Sequence, residues 1–330
     1  MAYILLLQEI ADRALRRDRM FRDHIDPFSE SDEFLFGRFR LPRPVLIDLC
    51  NHLEPALRSH TLWSNPVPPH VPVLLTLGFL ATGTFQRELG DRVDISQPSI
   101  SRALPRVVDA INQLATQYIK FPYTAEDQVA VKRGFHNIAG LPNTIDPFTY
   151  LNRKQYHSIN IQLICDSNNH LLNVVSRFPG GAHDSYIFQN SSMGTHLEQG
   201  AAGDAWLIGD RGYALRVRLY PALNDPHPDP DTTPQSRFNA ALGKCRDRIE
   251  MTFWVIKCRF NCLRGLRVRP EGACGIITAC VVLHNIAMMR TEQTPHVPLV
   301  AAADIIDPVT DHPTGAVIWQ AITAQYFTHQ

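Results

Sequence analysis

Ser158-Ile159-Asn160-Ile161-Gln162-Leu163-Ile164-Cys165 is the stretch on which the reading of the fold turns. Ile159, Ile161, Leu163 and Cys165 occupy alternate positions, the period of a half-buried strand. Asp166-Ser167-Asn168-Asn169-His170 is a cluster of turn formers, and Leu171 to Val175 is apolar again. Residues 158–175 therefore read as a β-hairpin. Downstream, Trp206-Leu207-Ile208 is a short apolar strand that runs out at Gly209-Asp210. Upstream the apolar period is helical instead, so the chain reads as α+β, helices first and a sheet after them.

In the upstream part, Leu46, Leu49, Cys50 and Leu53 share one helix face, opened by Pro44. Val73 to Thr82 is an apolar helix. Thr84-Phe85-Gln86-Arg87-Glu88-Leu89-Gly90 follows as a short helix with Gly90 where a C-cap belongs. Ser96-Gln97-Pro98-Ser99-Ile100-Ser101-Arg102-Ala103-Leu104 then starts a second helix, with Ser96 as its N-cap. Its apolar side holds Ile100, Ala103 and Leu104; Ser99, Ser101 and Arg102 lie opposite. This is the layout of a helix-turn-helix, or of an ordinary helical hairpin. Thr124-Ala125-Glu126-Asp127 resembles a capping box and opens a helix closed by Gly140. The Asn224–Pro234 stretch reads as an exposed loop. The resulting division is an N-terminal segment 1–35, a helical helix-turn-helix region 36–120, a sheet-containing domain 121–290 and a poorly packed tail 291–330.

The 330 residues are 45% hydrophobic and 19% charged, which excludes a disordered chain and leaves room for about two domains. No run is long and apolar enough to span a bilayer, and Ile4-Leu5-Leu6-Leu7 is too short for a signal-peptide core. Seven cysteines without a CxxC pair indicate a reducing compartment rather than a disulfide framework. No P-loop or GxGxxG is present, which disfavours a nucleotide cofactor. Cys258/Cys262 and Cys280/His284 have one-turn spacing but match no standard zinc pattern; buried free thiols are the reading.

Formal net charge is zero, yet Arg237 to Arg269 holds nine basic residues against Asp247 and Glu250, a window of +7. It is either a polyanion footprint or a solvated helix face. Leu242, Cys245, Ile249, Phe253, Ile256, Phe260 and Leu263 recur at three- and four-residue steps through that window, a long amphipathic helix. Glu250 borders its apolar stripe, facing a cleft or pairing with Arg246 one turn earlier. Asp210 stands at a strand end, where α/β proteins place ligands, or caps a loop. A strand-end Asp and a helical Glu framed by basic residues point to a metal-dependent phosphodiester site. Lys257, Arg259 and Arg264, with Arg87, Ser99, Ser101 and Arg102, are the candidate DNA contacts.

The motifs taken in order resemble those of PIF/Harbinger-type transposases. Tyr150-Leu151-Asn152-Arg153-Lys154, the His157–Asp166 strand, Phe178-Pro179-Gly180-Gly181-Ala182-His183-Asp184-Ser185, Leu207-Ile208-Gly209-Asp210-Arg211-Gly212-Tyr213, Arg248-Ile249-Glu250 and Val282-Leu283-His284-Asn285-Ile286 carry the resemblance, over residues 36 to 290. It implies an RNase H-like nuclease domain, an Asp/Asp/Glu site using Mg²⁺ or Mn²⁺, DNA as substrate, a Myb-like nuclear partner, no membrane association, and residence in nucleus and cytoplasm. Asp210 and Glu250 match the second and third members. The family's first Asp lies in an Ile-Asp-x-Thr-His segment on the central strand. Here Thr144-Ile145-Asp146-Pro147-Phe148-Thr149 runs almost directly into Tyr150. Asp146 is then either the first triad residue at a shortened junction or a loop residue left by a deletion. Because Pro147 disfavours a central strand, the expectation is the second: a sheet whose first central strand is missing or altered. On that reading the chain is a nuclease, or alternatively a catalytically inactive DNA- or protein-binding factor.

Overall fold

The computed structural model describes residues 27–58, 68–93, 95–141, 144–150, 158–200, 203, 205–209, 213, 219–221, 233–290 and 313–327. Its first part is helical: α1 (Asp32–Phe39), α2 (Arg43–Leu57), α3 (His70–Thr82), α4 (Gln86–Val93), α5 (Gln97–Asn112), α6 (Ala115–Tyr118) and α7 (Ala125–Ala139). Local chemistry sets several of these ends. Ser31 and Thr124 accept the backbone N–H three residues on, from Phe34 and Asp127, satisfying first-turn donors. Ser96 stands at the N-cap of α5, but its hydroxyl lies 2.9 Å from Ser99 Oγ and makes no cap bond.

Gly90 is not the expected C-cap. α4 continues through it to Val93, and a Cβ at position 90 would collide with the Ile95 carbonyl oxygen. The glycine is there because the turn into α5 folds back against the α4 backbone, with Ile95 N–H donating to Gly90 O at 3.0 Å.

Five strands follow: β1 (Thr144–Tyr150), β2 (Ile159–Cys165), β3 (Leu171–Pro179), β4 (Trp206–Gly209) and β5 (Leu219–Pro221), ordered β3-β2-β1-β4-β5 in one sheet. The 158–175 hairpin is present as β2 and β3. The expectation of a missing central strand is corrected: β1 occupies the middle of the sheet, antiparallel to β2 and parallel to β4. The paired residues explain why Pro147 is tolerated. The β1–β4 pairing covers Thr144 and Ile145 only, whereas the β1–β2 pairing runs from Asp146 to Tyr150. Pro147 thus sits where, among the described residues, β1 is paired along one edge, and a proline is compatible with an edge.

Short helices α8 (Asp184–Gln189) and α9 (Ser192–Glu198) connect β3 to β4. The 26-residue α10 (Pro234–Arg259), a 3₁₀ turn (Asn261–Arg264) and α11 (Pro270–Arg290) complete the main body. α11 is, by length and composition, apolar enough to cross a membrane, which corrects the expectation that no run qualifies; 67% of its apolar window is buried within the fold. It packs against both α5 and β3, and Asn112 Nδ2 donates to Gly275 O at 3.1 Å. The largest apolar cluster consequently runs unbroken from Leu46, Leu77 and Ile111 in the helical region to Phe253, Ile276 and Val282.

The tail was expected to pack poorly. Residues 313–327 instead include α12 (Pro313–Tyr326), docked on α10: Phe327 meets Phe238 edge-on at 5.7 Å, and Arg237 Nε donates to Phe327 O at 2.7 Å. Ile322, Thr323 and Phe327 are buried, and the helix also contacts β5.

Candidate active site

The sheet register determines what β1 carries to the centre. Ile145 pairs with Leu207, which sets Asp146 level with Ile208, and on the other side Asp146 pairs with Cys165. Ile208 packs in a cluster with Leu242 and Cys245 of α10, and Cys165 in the cluster that holds Ile249 and Phe253. Residues level with one another in neighbouring strands share a sheet face. Asp146 is therefore placed on the face that α10 covers. Asp210 directly follows Gly209, the last residue of β4, and lies outside the described residues, as do Leu151 to Lys154.

Glu250 is on α10, between Ile249 on the buried stripe and the more open Met251. Its side chain is 28% exposed, and Oε1 is 3.4 Å from Arg246 Nη2. The Arg246 pairing foreseen for a surface helix is thus present, but the Arg246 side chain is itself only 13% exposed, so the pair sits at the border of the fold. Among the described residues no three His, Cys, Asp or Glu side chains gather as a metal cage.

The rotation of α10 is fixed by the β2–β3 turn. Asp166 Oδ1 accepts the N–H groups of Asn168 and His170, both at 2.8 Å, and Asn169 adopts the left-handed conformation at φ 66°. Thr252 Oγ1, two residues beyond Glu250, lies 3.1 Å from Asn169 Oδ1. From α11, His284 Nε2 donates to Asn169 O at 2.9 Å. Asn285 accepts Leu171 N–H at 2.9 Å and donates to Leu171 O at 2.7 Å and Tyr118 O at 2.8 Å. Full burial pushes the His284 imidazole down to about 3, with the Arg259 charge adding to the effect. His284 is accordingly neutral, with Nδ1 free to accept from Arg259 Nη1 at 3.4 Å. These residues clamp the hairpin between the two long helices. Sequence reading met His284 in a one-turn pair with Cys280 and, with Asn285, in a motif; their partners Asn169, Leu171 and Tyr118 lie more than a hundred residues away, beyond the reach of any spacing rule.

The candidate DNA contacts divide by position. Arg87, Ser101 and Arg102 are exposed, while Leu89, Ile100 and Leu104 are buried on the inner sides of α4 and α5. Ser99 is half-buried and accepts from Arg102 Nη2 at 3.4 Å. Arg264 is exposed, its Nη2 3.7 Å from Cys258 Sγ. Lys257 is half-buried with its ammonium 5.7 Å from the Phe253 ring centre; burial and the neighbouring Arg264 lower its pKa. Arg259 is the correction. It is 8% exposed, held against His284, and burial brings its guanidinium down to about 10. The second face of α10 is covered by α11, so Arg259 points into that seam, where no phosphate can reach it. The +7 window is not one uniform solvent-facing stripe.

Comparison with known proteins agrees with the architecture. A family model described as DDE superfamily endonuclease matches residues 142–285, from just before β1 to Asn285. The mouse (Mus musculus) protein named "Putative nuclease HARBI1" is 34% identical over 277 residues, 78% of each chain. The chain belongs to the Harbinger transposase-derived nuclease family. The Xenopus laevis protein of the same name is 30% identical over 279 residues, 79% of each chain. The Arabidopsis thaliana "Protein ALP1-like" is 23% identical over 263 residues, 70% of this chain and 63% of that one. No solved structure matches significantly. Within this Harbinger-derived nuclease, the matched span contains Asp146, Asp210 and Glu250, and an RNase H-like arrangement is consistent with the β3-β2-β1-β4-β5 order. Membership in a nuclease family implies DNA as the substrate class.

Proposed function

We propose that this chain is a metal-dependent DNA endonuclease whose site is Asp146, Asp210 and Glu250. The observation that carries the reading is the position of β1. It sets Asp146 at the sheet centre, level with Ile208, two residues before Asp210, and on the face covered by the helix that bears Glu250. Positions level with one another in neighbouring strands share a face, so 146 shares the face of 208.

The donor set suits a hard divalent ion: three carboxylates offer oxygen ligands of the kind Mg²⁺ and Mn²⁺ prefer. When bound, such ions polarise a phosphodiester and favour deprotonation of the attacking water. In this reading Asp146 and Asp210 hold the ion from the sheet and Glu250 from α10. Arg246 keeps the Glu250 carboxylate at the helix border. Thr252, through Asn169, fixes the height of Glu250 over the sheet. Arg264 and, at shorter reach, Lys257 supply positive charge beside the phosphate backbone.

The test is nicking of plasmid DNA by the full chain with Mg²⁺ or Mn²⁺, with chelator, and for Glu250→Gln. Cleavage that needs the ion and is lost in Glu250→Gln supports the reading. A chain that binds DNA but cleaves it under no divalent ion would establish the binding-factor alternative.

The exposed side of α4 and α5 is proposed as the duplex-binding surface, since the apolar residues of both helices turn inward and leave Arg87, Ser101 and Arg102 outward. Arg102→Ala is expected to weaken DNA binding and to reduce the slope of log affinity against log salt by about 1, as for one lost phosphate contact. An unaltered slope in an equilibrium titration would assign the pair a purely structural role.

A further inference from the structure

A cleft of about 600 Å³ opens between the α4–α5 pair and the segment that follows α10. Its walls come from distant parts of the chain: Phe85, Gln86 and Arg87 at the start of α4, Ser96 and Gln97 at the start of α5, and Arg267 beyond the 3₁₀ turn. The Phe85 ring is the dominant apolar element. The residue is 57% exposed, so its ring is open to the cleft. One side of the ring is taken by the Arg267 guanidinium, 4.3 Å from its centre. Such a stack holds an aromatic plane in place and lends it positive charge.

The remaining wall carries hydrogen-bonding groups, among them two amides that hold each other only loosely. Gln97 Nε2 reaches Gln86 Oε1 only at 3.5 Å, the limit of a hydrogen bond, and both amides line the cleft together with the Ser96 hydroxyl. Arg87 and Arg267 outweigh the single carboxylate in the lining, Asp91. The floor is rigid. Gly83 is left-handed at φ +69°, and a Cβ there would come within 3.0 Å of Cys262 Cα. Asn261 Nδ2 donates to Thr82 O at 3.0 Å, tying the 3₁₀ turn to the end of α3.

A flat aromatic plane, paired amides able to donate and accept, and excess positive charge at the mouth form the complement of a nucleotide: base, base edge and phosphate. We propose that this cleft receives one unpaired nucleobase of the bound DNA, stacked on Phe85, read along its edge by Gln86 and Gln97, with its phosphates beside Arg87 and Arg267. The inference rests on the reading that the chain binds DNA. It also joins two features that the sequence shows separately. The helix pair and the downstream end of the basic window meet at this cleft, so they form one surface rather than two.

The test uses the full chain and two short duplexes identical except for a single unpaired 2-aminopurine in one of them. Affinity is read by anisotropy and stacking by the emission of the modified base. The bulged duplex should bind about tenfold more tightly, with its emission quenched on binding. Phe85→Leu should bring the ratio of the two affinities to about one, and Phe85→Tyr, which keeps a stacking plane, should preserve it. Equal affinities for the two duplexes in the unaltered chain would overturn the pocket while leaving DNA binding intact; a cleft that instead docks a protein would give that result. A preference that survives Phe85→Leu would also overturn it. Failure to bind either duplex at low salt would defeat the DNA-binding reading and the pocket with it.

Discussion

Asp146→Asn is expected to reduce Mg²⁺-dependent cleavage by about a thousandfold or more, with little change in fold or DNA affinity. The substitution preserves size and removes one charge from the centre of the sheet. A carboxylate that clamps a catalytic ion contributes several kcal/mol to the transition state, and each ~1.4 kcal/mol is a factor of ten in rate. Asp210→Asn should have the same consequence, because both residues would hold the ion from neighbouring strands. The comparison of these two variants is the informative part. If Asp210→Asn abolishes cleavage while Asp146→Asn retains it, a different group supplies the ligand from β1, and the register argument fails. If both fall together while melting temperature and DNA binding stay constant, Asp146 is the first member of the site and the shortened junction before Tyr150 is compatible with catalysis.

Asn285→Ala should cost about 3–5 kcal/mol of stability, read as a shift in denaturant midpoint at constant slope. One side-chain amide serves Leu171 N–H, Leu171 O and Tyr118 O, all at 2.9 Å or less, and Asn285 is 1% exposed. Truncation strands one buried donor and two acceptors, each a penalty of about 1–3 kcal/mol unless water enters. That is a large share of the 5–15 kcal/mol typical of a whole domain. A loss under about 1 kcal/mol would mean that water replaces the amide, and that the clamp on the hairpin is less tight than its distances imply.

How much of this was legible beforehand depends on how local each cause is. The hairpin was legible because strand alternation in 159–165 and the turn formers at 166–170 act within a few residues. α10 was legible for the same reason: the apolar stripe from Leu242 to Phe260 repeats once per turn. β1 was not. Taken alone, Thr144 to Tyr150 contains a proline and no alternation to speak of; only β4, some sixty residues later in the chain, and β2 on the other side make it a strand. Arg259 was misread because a charge was taken to mark a solvent face. α10 is covered on two sides, by the sheet and by α11, and the second covering element has no signature within α10 itself. Gly90 misled in a comparable way, since close approach of Ile95 O and a helix C-cap both call for glycine.

For the site, Asp210 and Glu250 were proposed from a strand end and a helix border, whereas the central position of Asp146 is a property of register, which pairs it with Cys165. Phe85 and Arg267 could not be paired in advance, being separated by most of the sheet region in sequence and brought together only by the fold.

The unbroken core between the helical region and the sheet has a mechanical consequence. α11 is packed on α5 and β3 at once, and Asn112 reaches across to its backbone. On the proposed function, the DNA-binding side of α4 and α5 and the cutting edge beside α10 would behave as one jaw, joined through this shared core. The distance from the gripped base pairs to the severed bond would then be a constant of the molecule, as the gap between two teeth is a constant of a gear. Such a nuclease would cut at a set interval from the sequence it holds, and a fragment starting after α5 would lose its ruler and part of its core in the same stroke.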